Sequence, residues 1–216
     1  MKVLALEFSS PQRSVAVLDP ATGRRFEAVD TTVGPAMKPF ALIEAALQQA
    51  GLEREQIECI ALGLGPGSYT GVRAAIAVGQ GWQLARGVKL TGVSSVRCLA
   101  NQAAADGLTG KFQVVIDAQR GEFYLAGYEV AGGKLREISP LQIVPMEPLR
   151  ESERNHGLLI GPEVTRWFST GRQVFPRAIT LAQLALEQNE FACGQRLEPV
   201  YLRETTFAKA PPPRIS

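Results

Sequence analysis

The chain has 216 residues, of which 45% are hydrophobic and 20% are charged. This composition is typical of an ordinary globular protein, and the length suffices for one large or two small domains. The formal net charge of +2 argues against a nucleic-acid-binding protein, because such proteins usually concentrate Lys and Arg on one face. Three widely spaced cysteines and the lack of a signal peptide or membrane-spanning segment predict a cytoplasmic protein with reduced thiols.

The first half of the chain predicts three strands followed by alternating helices and strands. Apolar and alternating patterns predict strands over residues 3–8, 14–18, 24–31, 57–64 and 88–93. The third strand is more polar and is therefore expected at a sheet edge. Helical patterns cover residues 38–50, 72–86 and a segment that Ser94 and Ser95 cap and that ends near residue 105.

The second half repeats this order in a weaker form. Strands are predicted over residues 112–116, 121–130, 135–144 and 158–160, and helices over 164–169 and 180–193. The turn at residues 106–110 is the best candidate for a domain boundary. The expected domains are therefore 1–106 and 107–198, with the tail from about residue 199 to residue 216 returning to the first domain.

A glycine-rich turn at residues 61–73 joins a buried strand to a helix. Four glycines and one proline fall within nine residues, which indicates positive φ angles or close approach of another group. Ser68 or Thr70 is expected to cap the following helix. A strand, such a turn and a helix N-terminus can cradle an anion, so Gly65, Gly67 and Ser68 are candidates for phosphate binding. A tight turn that binds nothing is an equally open interpretation.

Three familiar motifs do not fit this turn. A Walker A loop requires a lysine, but Val72 and Arg73 come after Gly71. The dinucleotide fingerprint lacks its last glycine, and Ser68 is not in a Gly-x-Ser-x-Gly sequence.

Two acids end predicted strands at equivalent places in the two halves. Glu7 ends the first strand, with Ser9 close behind it, and Asp117 ends the first strand of the second half. Together they could flank a nucleotide cleft, whereas the alternative for Glu7 is a solvent-facing strand end. His156 is the single histidine, which argues against a paired-histidine metal site and against a Ser-His-Asp triad. No metal site is expected.

Five motifs in the same order resemble the TsaB (YeaZ) family, and they span nearly the whole chain. They are Leu4-Ala5-Leu6-Glu7-Phe8-Ser9-Ser10, Gly65-Pro66-Gly67-Ser68-Tyr69-Thr70-Gly71-Val72-Arg73, Gly92-Val93-Ser94-Ser95, Asp117-Ala118-Gln119-Arg120-Gly121-Glu122-Phe123-Tyr124 and Pro199-Val200-Tyr201-Leu202-Arg203. The resemblance implies an α/β protein with the actin/Hsp70-like (ASKHA) fold, in which two domains each contain a mixed β-sheet flanked by helices.

The resemblance also implies a role in making N6-threonylcarbamoyladenosine (t6A) at position 37 of tRNAs that read ANN codons. In that system a TsaD subunit transfers the threonylcarbamoyl group, TsaE is an ATPase, and TsaB-like proteins are non-catalytic partners of TsaD. Two departures bear on this role. The family usually opens with Asp-Thr-Ser where this chain has Glu7-Phe8-Ser9, and residues 33–47 lack the His-x-x-x-His metal site of TsaD-like proteins.

In this family the helices of the first domain form a bundle with TsaD. The helix at 38–50 is apolar on most sides, and the helix at 72–86 is rich in Ala and Gly, so both could supply such a surface. The alternative is that both helices are simply core. The candidate interface residues are Phe40, Ile43, Leu47, Ala74, Ala77, Val78 and Gly81.

The leading hypothesis is a non-catalytic scaffold subunit that binds a TsaD-like protein and cooperates with a TsaE-like ATPase. It is expected to contact tRNA only through the complex, to form a homodimer when alone, and to need no cofactor beyond weak nucleotide binding. The alternative is an ATP-binding and ATP-hydrolysing ASKHA enzyme that uses Glu7 and Asp117 with magnesium. A weaker third hypothesis is a serine hydrolase that uses Ser68.

Overall fold

Two five-stranded mixed sheets form the core of the computed structural model, which describes residues 1–31, 39–188, 191 and 197–202. The strands of the first sheet are β1 (Val3–Glu7), β2 (Arg13–Asp19), β3 (Arg24–Asp30), β4 (Cys59–Gly63) and β5 (Lys89–Val93). Their spatial order is β3-β2-β1-β4-β5, which places β3 at the predicted edge. β2 is antiparallel to β1 and β3, whereas β4 runs parallel to β1 and β5.

The second sheet has the same topology. Its strands are β6 (Gly110–Asp117), β7 (Glu122–Ala131), β8 (Lys134–Pro145), β9 (Leu159–Gly161) and β10 (Arg172–Gln173), in the order β8-β7-β6-β9-β10. β7 is antiparallel to β6 and β8, whereas β9 runs parallel to β6 and β10. The prediction of an α/β fold with two mixed sheets flanked by helices is confirmed.

The described residues form five α-helices that pack on these sheets, and two of the helices pack on the sheet of the other half. The helices are α1 (Pro39–Ala50), α2 (Tyr69–Arg86), α3 (Ser95–Ala105), α4 (Met146–Arg154) and α5 (Ala178–Leu186). α1 and α2 share one apolar core with the first sheet, whereas α5 packs on the opposite face of that sheet. α3 packs on the second sheet. One helix from each half therefore packs on the sheet of the other half. The domain boundary between residues 106 and 107 stays a prediction.

Burial on both faces explains the apolar sequences of the central strands. Every residue of β1 and β4 is buried, because α1 and α2 cover one side and α5 covers the other. Cys59 and Cys98 are free, buried thiols, as predicted, and burial raises the pKa of Cys59 to about 11. Cys193 lies outside the described residues.

The remaining differences from the predicted elements lie mostly in the second half. The predicted helix at 164–169 is a 3-10 helix, Val164–Arg166, and the predicted helix at 180–193 is α5, which ends at Leu186. α4 was not predicted, because Leu149 is its one buried residue and five of its nine residues are charged. None of the described helices combines the length and apolar character needed to cross a membrane.

Candidate functional site

The glycine-rich turn between β4 and α2 is built around the loop that comes after β1. Gly65 and Gly67 have φ angles of 78° and 148°, a backbone conformation that residues other than glycine rarely adopt. A Cβ on Gly67 would overlap the carbonyl oxygen of Ser9, and a Cβ on Gly71 would overlap that of Phe8. The predictions of positive φ and of close approach are both confirmed, and the group that approaches is the backbone of the protein itself.

The N-terminus of α2 is capped from within the chain. The Oγ atom of Ser68 accepts a hydrogen bond of 3.2 Å from the amide of Gly71, which confirms Ser68 as the predicted cap. The amide of Ser68 donates to the carbonyl of Ser9 at 2.7 Å. The Ser68 hydroxyl thus has a structural role, and this contact gives no support to a hydrolase that uses it as a nucleophile.

Glu7 is fully buried beneath this turn, so the interpretation of a solvent-facing strand end is wrong. Its Oε1 atom accepts the amide of Ser9 at 2.8 Å, and its Oε2 atom accepts the hydroxyl of Ser95 at 2.9 Å. Ser95 Oγ in turn accepts the amide of Gly65 at 3.1 Å. Burial raises the pKa of Glu7, and the hydrogen bonds from Ser9 and Ser95 oppose that shift. The carboxyl group therefore ties together β1, the turn and α3.

Ser95 acts differently from the sequence expectation. Ser94 occupies the N-cap position of α3, but its side chain makes no capping hydrogen bond. The hydroxyl of Ser95 points instead to Glu7 and Gly65. Sequence reasoning identified this serine as a cap, because nothing local indicates that it meets an acid 88 residues away.

Asp117 shapes its own hairpin turn. Its two carboxylate oxygens accept the backbone amide and the side-chain amide of Gln119 at 2.7 and 2.9 Å. Gln119 and Arg120 both have positive φ angles, 65° and 61°, and an acid bonded two residues ahead is a common way to hold such a turn.

The geometry of these residues does not fit a magnesium-bound nucleotide phosphate. Both Glu7 oxygens bind protein donors, and backbone atoms fill the space that the glycines leave open. Within the described ranges, no cluster of three or more His, Cys, Asp or Glu side chains could hold a metal ion. Nucleotide binding by Glu7, Ser9, Gly65, Gly67, Ser68 and Asp117 stays a prediction without support from these contacts.

The helix residues proposed as an interface divide into core and surface. Ile43 and Leu47 belong to the core of the first sheet, with exposures of 1% and 4%, whereas Phe40 is 66% exposed. On α2, Ala77 and Gly81 are exposed, and Ala74 and Val78 are half-buried. Ile43 and Leu47 are therefore accounted for by the fold, Val78 also packs against this core, and the remaining residues stay interface candidates.

The exposed side of α2 carries a regular row of mostly small residues. We call Thr70, Ala74, Ala77, Gly81 and Leu84 the α2 stripe. Their spacings alternate between four and three residues, as in helices that pack lengthwise against another helix. Leu84 was not among the candidates although it is 90% exposed, and its spacing from Ala77 and Gly81 was the signal that could have found it.

Gly79 and Gly81 show which side of α2 faces outwards. A Cβ on Gly79 would lie 2.7 Å from Leu62 Cδ1 on β4, so this glycine allows the helix to approach the sheet. A Cβ on Gly81 would meet nothing within 4 Å. Contacts within the described chain thus explain Gly79 and leave Gly81 without an internal packing role.

The C-terminal segment 197–202, which we call the strap, lies against the first half of the chain. Leu197 is buried in the core that α1 and α2 share with the first sheet, and the amide of Val200 donates to the carbonyl of Leu64 at 2.8 Å. The ring of Tyr201 then packs on that of Tyr69, at the start of α2, with 5.7 Å between centroids. The strap therefore reaches the same helix end as the glycine-rich turn.

Comparisons with known proteins agree on one family. The model of the TsaD family, tRNA N6-adenosine threonylcarbamoyltransferase, matches residues 40–199. The TsaB protein of Escherichia coli is 26% identical over 98% of this chain and 99% of its own length. The chain belongs to the TsaB (YeaZ) group of the TsaD family.

Further relatives of this TsaB-family chain cover it almost completely. The TsaB protein of Bacillus subtilis is 27% identical over 94% of both chains. The structure of YeaZ from Pseudomonas aeruginosa has a TM-score of 0.76 and 26% identity, and the match covers 93% of this chain and 99% of that one. The TsaB relatives are named as tRNA threonylcarbamoyladenosine biosynthesis proteins. The predicted family membership is confirmed.

Proposed function

We propose that this TsaB-family protein is a non-catalytic scaffold subunit that binds a TsaD-like protein in the cytoplasm. In this role it is required for the t6A modification of tRNAs that read ANN codons. The names of its full-length relatives and the match to the TsaD family support the pathway. The exposed α2 stripe is the observation that carries the scaffold role.

The non-catalytic part of the proposal rests on how the chain uses its own polar groups. Glu7 binds Ser9 and Ser95, Asp117 binds Gln119, and Ser68 caps α2. Each candidate for catalysis thus has a structural partner within a few ångströms. A purified chain that hydrolyses ATP, and that loses this activity in a Glu7→Ala variant, would contradict this part.

The binding part rests on the shape and polarity of α2. Small side chains let a second helix approach closely. Leu84, at the end of the stripe, is large and exposed, so a partner that buries it removes apolar surface from water. Phe40, at the start of α1, adds a second exposed apolar side chain in the same half of the chain. We propose that a helix of the TsaD-like partner packs along this stripe.

Ala77→Arg tests the interface with the least risk to the fold, because Ala77 is exposed. The bulky cation should separate the two helices and lower the affinity for a TsaD-like subunit at least 100-fold, as at the centre of other interfaces. Affinity can be measured by calorimetry with purified subunits, together with the melting temperature of the variant. Gln142→Arg adds the same charge at an exposed position on β8 and serves as the control.

Three outcomes of this experiment are informative. Lost binding with an unchanged melting temperature supports the interface. Unfolding of the Ala77→Arg variant would mean that this residue belongs to the core, and unimpaired binding would remove the α2 stripe from the interface.

A homodimer in the absence of partner should also dissociate in the Ala77→Arg variant, which sedimentation can detect.

Contact with tRNA is proposed to occur only through the complex. The net charge of +2 supplies little of the electrostatic attraction that binds nucleic acid. The isolated chain should therefore bind tRNA weakly, and affinity should appear with the TsaD-like and TsaE-like subunits present. Tight, salt-sensitive binding of tRNA by the chain alone would contradict this.

A further inference from the structure

An aromatic and cationic cluster lies where the strap meets the start of α2. Arg73 stacks on the ring of Tyr69, with its guanidinium carbon 4.2 Å from the ring centroid. Its Nε atom donates to the hydroxyl of Tyr201 at 3.4 Å. Tyr69 and Tyr201 are 56% and 44% exposed, and Arg73 is exposed as well. We call these three residues the corner.

Backbone and core contacts hold the corner in place. Leu197 anchors one end of the strap in the apolar core, and the hydrogen bond between Val200 and Leu64 fixes the backbone next to Tyr201. Tyr69 is the first residue of α2. A side chain on the strap and two on the helix are thus brought together although they lie 128 residues apart in sequence.

The guanidinium group of Arg73 has more donors than the corner uses. The hydrogen bond to Tyr201 is the main cause that raises the pKa of Arg73, and Tyr69 adds to it. No carboxylate among the described residues forms an ion pair with Arg73. A guanidinium has five N–H donors, so four remain on its two terminal nitrogens. Such a flat pair of donors matches the two oxygens of a carboxylate.

The position of the corner relates it to the α2 stripe. Arg73 lies between Thr70 and Ala74, which begin the stripe, and the positive end of the helix dipole lies in the same turn. A stripe of small, similar residues offers a partner helix several registers of nearly equal energy. A single polar contact at one end is a common way to select one register.

We propose that the corner binds an acidic side chain of the TsaD-like partner and thereby fixes the register of the partner helix on the α2 stripe. This inference rests on the proposed function. Arg73 is the residue that makes the ionic contact, and Tyr69 and Tyr201 orient its guanidinium group.

The experiment compares Arg73→Gln and Tyr201→Leu with Arg86→Gln, which removes an arginine from the other end of the same helix. Arg86 pairs with Glu55 on this chain at 3.9 Å, and both side chains are about half exposed or more, at 46% and 61%. We expect Arg73→Gln to weaken binding of the TsaD-like subunit about 10-fold or more, as for loss of a charge-paired hydrogen bond. Tyr201→Leu should weaken it several-fold, and Arg86→Gln should bind like the wild type.

Salt dependence supplies a second measurement, and its first part uses the wild-type protein alone. Wild-type affinity should fall as NaCl rises from about 50 to 500 mM, because an exposed ion pair is screened. The Arg73→Gln variant should show a weaker dependence, and Arg86→Gln should keep the wild-type dependence. Wild-type affinity that does not change with salt would overturn the inference.

The outcomes separate this inference from the proposed function. If Arg73→Gln binds normally while Ala77→Arg does not bind, the corner plays no part and the scaffold interface stands. If neither change affects binding, the proposed interface fails together with the corner. A loss in Arg73→Gln that leaves the salt dependence unchanged would show that the contact is not with an acid.

Discussion

The two halves of the chain share one strand order but differ in the element that comes after the fourth strand of each sheet. In the first half β4 leads into the 18-residue α2, one side of which is exposed. In the second half β9 leads into the three-residue helix Val164–Arg166 and the two-residue strand β10. The shared topology therefore specifies the two sheets, and the long helix that could bind a partner occurs at this position only in the first half of the described chain.

The halves also share a close backbone contact at this position. Gly161, at the end of β9, lies where a Cβ would overlap the carbonyl oxygen of Val115 on β6. Gly67 and Gly71 lie against Ser9 and Phe8 in the same manner. Close backbone packing against a glycine thus occurs in both halves. The contacts with Ser9 and Phe8 are enough to explain Gly67 and Gly71, and these glycines do not require a bound phosphate.

The largest expected effect comes from breaking this contact at Gly67. The Gly67→Val change places a side chain on a residue with a φ of 148°. That side chain would overlap the backbone of Ser9. We expect the free energy of unfolding to fall by about 3 kcal/mol or more, from backbone strain and steric overlap together. Denaturant unfolding measures it.

A control separates strain from overlap. Gly132, in the β7–β8 turn, has a φ of 57° but open space around it. Gly132→Val should cost only about 1–2 kcal/mol. Equal losses at the two positions would show that the overlap at Gly67 relaxes and that the turn is looser than its contacts indicate.

The second prediction concerns α5, the helix of the second half that packs on the first sheet. Glu27 on β3 pairs with Arg177 and accepts the amide of Ile179 at 3.2 Å, and Ser14 accepts the amide of Ala178 at 2.8 Å. The side chain of Glu27 is 6% exposed. Glu27→Gln leaves Arg177 without its carboxylate and weakens the cap of α5, so we expect a loss of about 2–3 kcal/mol.

Glu129→Gln provides the matched control in the second half. Glu129 pairs with Arg136, whose side chain is 72% exposed, and exposed pairs contribute about 0.5 kcal/mol or less. If both changes cost the same in denaturant unfolding, the Glu27 contact does not hold the halves together more firmly than a surface ion pair does.

The sequence predicts the sheets better than the site, for a physical reason. Strand patterns are local, so β1 and β4 can be recognised from continuous apolar runs that reflect burial on both faces. The hydrogen bonding of the buried Glu7 carboxyl group depends on Ser95, which lies 88 residues later. No local sequence pattern indicates that contact. In the same way Ile43 and Phe40 look alike in sequence, but one faces the sheet and the other faces solvent.

The third prediction uses pH to examine the buried acid of the first half. Because burial raises the pKa of Glu7 above its ordinary value of 4.5, the folded protein retains a proton that the unfolded chain releases. Stability from this group is therefore full below about pH 4.5 and falls as pH rises towards the folded pKa. Glu7→Gln mimics the protonated acid and should be more stable than the wild type at pH 8.

The difference between Glu7→Gln and the wild type should vanish as pH approaches 4. Asp117→Asn, at the equivalent place in the second half, is the control and should lower stability at pH 8, because an Asn side chain has one oxygen and cannot accept both hydrogen bonds from Gln119. Melting curves from pH 4 to pH 8 measure both. A Glu7→Gln variant that is less stable than the wild type at pH 8 would mean that the native protein needs the charged carboxylate.

The smallest effect is expected at Gly81, and its sign depends on whether the partner is present. A Cβ there meets nothing in the described chain, and glycine within a helix costs about 1 kcal/mol relative to alanine. Gly81→Ala should therefore stabilise the isolated protein by about 0.5–1 kcal/mol, whereas Gly79→Ala should destabilise it by pressing on Leu62. If a partner helix packs closely on the α2 stripe, the methyl group that stabilises the free chain should weaken the complex. A Gly81→Ala variant that gains stability and binds a TsaD-like subunit as well as the wild type would show that the stripe is not closely packed at this point.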